Sequence, residues 1–66
     1  MTVKILELIG TSPKSFEDAI LDGVKRTAKT IRGITGVDVI GQTAVVENNK
    51  VTEFRVNMKI AFKVED

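Results

Sequence analysis

The side chains able to do chemistry in this 66-residue chain are few in kind. Histidine, cysteine, tyrosine and tryptophan are all absent. There is no imidazole base, no thiolate nucleophile and no phenol. Catalysis would rest on Asp, Glu, Lys, Arg, Ser or Thr, and no pair of these stands at the spacing of a nucleophile and its base. An enzyme is not expected. A metal site would have to be all oxygen, which suits Ca²⁺ or Mg²⁺ rather than zinc. Its candidate ligands are Glu7, Asp38, Glu47, Glu53, Glu65 and Asp66. They form no calcium loop in sequence.

For binding rather than catalysis, three positions stand out. Arg55 carries a planar guanidinium suited to carboxylates, phosphates or carbonyl-rich ligands; an ion pair between subunits is the competing reading. Gln42 offers an amide, either to a ligand or simply as a polar strand residue. Gly36 raises a different question, because with Gly41 it interrupts the stretch IRGITGVDVIGQ, and glycine in a strand loses side-chain packing and costs backbone entropy. Either something approaches the backbone there or a side chain usual at that place is missing. Gly41 also fits a β-bulge in a long, bent strand.

Ten Lys and Arg against nine Asp and Glu give a net charge of +1. A nucleic-acid binder would show a basic face or stripe, and none is expected here. There is no apolar run of about 18 residues and no signal-peptide pattern. A soluble, cytoplasmic protein is expected, with no membrane partner.

These residues must be positioned by few elements. Residues 3–9, VKILELI, predict a strand broken by Gly10-Thr11-Ser12-Pro13. Ser12 before Pro13, and Ser15 three residues before Asp18, are both helix-start signals. Phe16, Ala19, Ile20, Val24, Ala28 and Ile31 recur at helical spacing, with Gly33 as the expected cap. Acidic residues lie in the first half of this helix and basic ones in the second, which complements its dipole. Residues 37–46, VDVIGQTAVV, predict a second strand, and Asn48-Asn49 a tight hairpin turn. In the third strand, Thr52, Phe54, Val56, Met58, Ile60, Phe62 and Val64 alternate with polar residues, so the even-numbered side chains should face the helix.

The expected architecture is α+β, a single domain over residues 1–66 in the order β-α-β-β. Its three-stranded antiparallel sheet, with strand three central, partly wraps around one helix. A helix of about 18 residues spans roughly 27 Å, whereas a strand of about 14 residues reaches roughly 46 Å. The hairpin outruns the helix. Strand one adds Ile5 and Ile9 on one face and Leu6 and Leu8 on the other, so uncovered apolar sheet must find another subunit.

Gly10-Thr11-Ser12 after a short first strand, Ser15-Phe16 opening a single helix, and Ala61-Phe62 near the end of a long third strand resemble dodecin. The resemblance spans essentially the whole chain. It implies a hollow homododecameric shell that binds flavins in stacked pairs near its threefold contacts, storing or quenching them without catalysis. In flavin-binding members a tryptophan stacks on the ring from the position of Gly36, eighteen residues before Phe54, and a glutamine reads the ring edge from that of Arg55. Members binding phosphorylated flavin tend to carry a basic residue where this chain has Gln42-Thr43-Ala44. The resemblance thus implies riboflavin or FMN as cofactor and Gly36, Gln42 and Arg55 as binding positions, with the aromatic platform missing. Stacking is worth about 1–3 kcal/mol per contact, so flavin affinity should fall by roughly ten- to a hundredfold or more. The alternative is a shell that binds Ca²⁺ or Mg²⁺, or is purely structural.

Overall fold

The computed structural model describes residues 1–65. Strand β1 spans Val3–Ser12, helix α1 Phe16–Thr27, strand β2 Ile34–Glu47 and strand β3 Lys50–Lys63. The sheet is antiparallel throughout, in the order β1-β3-β2. The expected topology and the central third strand both hold. No helix is long and apolar enough to cross a membrane among the described residues.

The alternation in β3 carries the fold. Val56, Met58 and Ile60 are fully buried and, with Ala19 of the helix, make the core. Leu8, Phe16, Ile20, Val24 and Ile34 pack around them, half-buried. Arg55 and Lys59 are exposed on the opposite side. At the hairpin, Asn48 and Asn49 adopt positive φ values of 51° and 64°, the left-handed pair that a two-residue type I′ turn requires. The β2–β3 register shifts three times: Thr35 and Ile40 are extra residues of β2, between Ile34 and Gly36 and between Val39 and Gly41, and Thr52 is an extra residue of β3 opposite Val45 and Val46. Gly41 therefore sits at a bulge.

The helix starts where its caps place it. Ser15 is extended at the N-cap, and its Oγ accepts from the Asp18 amide at 2.9 Å. The Ser12 hydroxyl, buried, donates to Asp18 Oδ2 at 2.6 Å and accepts from the Lys14 amide at 2.9 Å.

Three expectations need correction. The helix has 12 residues rather than about 18, because the chain tightens at Thr27: the Lys29 amide donates to the Arg26 carbonyl at 3.2 Å and the Thr30 amide to the Thr27 carbonyl at 3.1 Å. β-Branched Thr27, Thr30 and Ile31 resist helical χ1 geometry, and the chain must turn back so that Ile34 can pair with Phe62. Ala28 is the C-cap, and Ile31 lies outside the helix. Gly33, at φ 75°, belongs instead to the entry of β2, where its carbonyl accepts from the Lys63 amide at 3.0 Å.

Strand β1 also runs on through Gly10, Thr11 and Ser12, which pair with Val56, Arg55 and Phe54. Gly10 does not break the strand; it lets the helix land on it. A Cβ there would lie 2.2 Å from the Ala19 carbonyl oxygen and 2.8 Å from the Met58 methyl. Finally, the helix approaches the sheet most closely along the small-residue row Ala19, Gly23 and Thr27, all buried, while Phe16, Ile20 and Val24 of the expected stripe pack beside it against the core. A Cβ on Gly23 would meet Met58 Cε at 2.9 Å.

Gly10→Ala must displace either the helix or the strand, because the obstructing atom is backbone. We expect it to destabilise by about 1–3 kcal/mol or more. Gly41→Ala, with nothing within 4 Å of its new Cβ, should stay within about 0.5 kcal/mol of the parent. Urea midpoints of the two variants check this; equal effects would refute the close-approach account.

Candidate functional site

The helix lies over β1 and β3, so one whole face of the sheet is open. Cross-strand partners share a face, and the register assigns that open face row by row. One row is Ile5–Ala61–Gly36, the next is Glu7–Lys59–Asp38, and further along stands Thr11–Arg55–Thr43. Ile5 and Ile9 are 58% and 55% exposed there, as expected for a first strand apolar on both sides.

Gly36 stands opposite Ala61, and nothing lies within 4 Å of a Cβ built on it. No element of the same chain approaches this backbone, so any close approach would have to come from another molecule. Arg55 occupies the other end of the open face. Its Nε–H donates to Glu53 Oε2 at 2.7 Å, with the two side chains 48% and 35% exposed. Arg55 thus has an ion-pair partner within the chain, along one strand, where only one between subunits was expected. Glu53 and Arg55 are two residues apart on a period-two strand and so share a face; that spacing alone could have revealed the pair.

The three expected site residues are not brought together in one chain. Six residues of β3 separate Ala61, the partner of Gly36, from Arg55, or roughly 20 Å at ~3.3 Å per residue. Gln42 pairs with Val56, which puts it on the helix-side face, although it neighbours Thr43 of the Arg55 row. Gly36 and Arg55 could meet on one ligand only across subunits.

The aromatic rings all lie on the other side. Phe16 and Phe54 contact edge-to-face, with centroids 5.0 Å apart and planes at 78°. Phe62 pairs with Lys4 and Ile34 on the same helix-side face. The open face thus has no ring to stack on a ligand.

Among the described residues, no three carboxylates gather as a metal cage within one chain. Glu7 and Asp38 flank Lys59 instead, and Asp66 lies outside the described residues. Two shallow grooves border the helix. One, of about 240 Å³, has Lys4, Arg32 and Lys63 around Ile31 and Phe62. The other, of about 380 Å³, lies between β1 and α1 beside the Asp22–Arg26 ion pair. Neither is lined by Gly36, Gln42 or Arg55.

Comparison with known proteins agrees with this geometry. The chain is 31% identical over 61 residues to calcium dodecin of Mycobacterium tuberculosis, covering 92% of this chain and 86% of that protein. The structure of that calcium-chelating antigen, which has a novel calcium-binding site, matches with a TM-score of 0.86 at 30% identity, over 98% of this chain and 93% of that one. Dodecin from Streptomyces coelicolor matches with a TM-score of 0.96 at 28% identity, over 98% and 93% of the two chains. The dodecin family model matches residues 2–65. With its sheet order, its helix placement and nearly its whole length accounted for, the chain belongs to the dodecin family.

Proposed function

We propose that this chain is the subunit of a non-catalytic homododecameric shell that binds, stores or sequesters a small ligand in the cytoplasm. The observation that carries this reading is uncovered apolar sheet around a very small core. Four hydrophobic side chains are buried, while Val3, Ile5, Ile9, Val37, Val39 and Val46 are each at least 36% exposed. Isolated, such a chain is marginal. A shell of identical subunits hides these surfaces in a small set of repeated interfaces.

The ligand side, on this reading, is the open face, with Gly36 and Arg55 of different subunits contributing to each site. The family resemblance supports a flavin-type ligand, and the empty space above Gly36 supports weak flavin binding, since the side chain that would stack is absent and nothing replaces it. The second reading is a shell that binds Ca²⁺ or Mg²⁺; it draws on the similarity to calcium dodecin. A cage would then need carboxylates such as Glu7 or Asp38 from several subunits, because one chain does not assemble it.

Light scattering should give a particle of about 86 kDa, twelve times 7.2 kDa; a monomer or dimer at micromolar concentration would refute the shell.

The unmodified protein should purify colourless and quench riboflavin fluorescence only weakly. Gly36→Trp should tighten riboflavin by about tenfold or more, from the stacking gain, and the open space admits the indole. Arg55→Gln should add to that gain. If the double variant gains nothing while calcium binds the parent at micromolar concentration by calorimetry, the cation reading replaces the flavin one.

A further inference from the structure

Arg55 is the one side chain on the open face whose geometry is already set for a ligand. Glu53 takes its Nε–H. Among the described residues no other side chain accepts from the guanidinium, so both terminal nitrogens keep their protons for something outside the chain. Those nitrogens form a planar fork that matches two oxygens of one carboxylate or phosphate.

The neighbours extend the donor set. Thr11 and Thr43 flank Arg55 in register on β1 and β3's other neighbour, β2, at about 4.8 Å on either side. Both are exposed, and a hydroxyl can donate to an anion. Asn57 is next along β3 on the same face. With every phenylalanine on the helix side and no side chain at Gly36, this face has nothing to hold a flat apolar ring. It does have a row of donors around one cation.

We infer that the Thr11–Arg55–Thr43 row is an oxyanion-binding site, with Arg55 as its anchor and Glu53 as a built-in counter-ion that weakens it. This rests on the open face being the ligand side of the shell, and it shifts the ligand class from a stacked aromatic ring to a compact phosphate or carboxylate. Glu53 lies close enough to a bound anion to repel it. The same carboxylate holds the guanidinium in place, but Arg55 also stands between two neighbouring strands that limit its freedom, so the charge effect dominates.

The experiment is a calorimetric titration of inorganic phosphate, and separately of acetate, into the unmodified protein and its variants at low ionic strength, with the particle size of each checked by light scattering. Arg55→Ala should weaken phosphate by about tenfold or more, and Arg55→Lys, which keeps the charge but loses the fork, by severalfold. Glu53→Gln should tighten it by about fivefold, and added salt should erase that gain. Should Arg55→Ala disperse the particle, Arg55→Lys and Glu53→Gln still decide the matter. Tighter phosphate than acetate assigns a phosphomonoester and the reverse a carboxylate, each supporting the site only if Arg55 is required.

Phosphate binding that survives Arg55→Ala but is lost in Lys63→Ala would place the anion in the other, basic groove and overturn the inference. Weaker binding by Glu53→Gln, or none by the unmodified protein, would also overturn it. A wrong particle size refutes the shell, whereas a flat titration refutes the anion site, so the two failures are separate readings.

Discussion

The backbone contact between α1 and the sheet decides most of what this molecule is. Gly10 has no side chain where the Ala19 carbonyl arrives, and Gly23 has none where the Met58 methyl arrives. Met58 fills the slot between them, fully buried. An approach this close gives dense packing from little material, since interiors are held by contact density rather than by volume alone. It also fixes the helix over β1 and β3. A 12-residue helix is about 18 Å long, while the molecule extends 50 Å. Much of the sheet is left bare as a direct result.

That bareness is organised. On the open face, opposite charges alternate along and across the strands: Glu53 with Arg55, and Lys59 between Glu7 and Asp38. The apolar exposure concentrates on β1, along the outer strand β2 and near the hairpin tip. Apolar edges next to paired charges suit subunit contacts better than a free surface, because charged residues are usually sparse at the buried centre of an interface and tolerated at its rim. The bulges in β2 add local twist and keep the long outer strand from presenting a flat, unpaired edge.

Strand three was legible from the sequence because every even position from Phe54 to Phe62 is apolar and alternates there without a slip, so period two identifies both the strand and its buried face. The Asn-Asn turn was equally plain, since few residue pairs accept two left-handed conformations in succession. What escaped was carried by residues with no hydropathy signal. The helix was drawn too long because Ala28 and Ile31 continue its apolar stripe beyond Thr27, where the helix ends; within it, Gly23 and Thr27 are buried beside that stripe without an apolar side chain to show it. Gly10 looked like a breaker because glycine marks turns and close approaches alike. Gln42 was grouped with Arg55 by the family resemblance; a bulge at Gly41 and the pairing with Val56 set it on the other face. The Glu53–Arg55 pair needed only the strand period, but its two residues had been weighed separately.

In the proposed shell, assembly and ligand binding would be coupled. With four hydrophobic residues buried in each chain, the stability available to an isolated subunit is small, and the surfaces that complete it belong to neighbours. Gly36 and Arg55, roughly 20 Å apart along one sheet, can act on one ligand only after subunits have met. Anything bound between subunits therefore stabilises the assembled state by mass action, in proportion to the logarithm of its concentration over its dissociation constant. The converse also holds. A change on the open face that leaves the four-residue core untouched can still alter the particle, because the interface and the ligand share the same bare strands. Removing a stacking side chain at Gly36 thus need not cost the fold anything. On the proposed reading, the ligand's identity would then rest with the polar row around Arg55, which the register places on the open face whether or not a ring is there to be held.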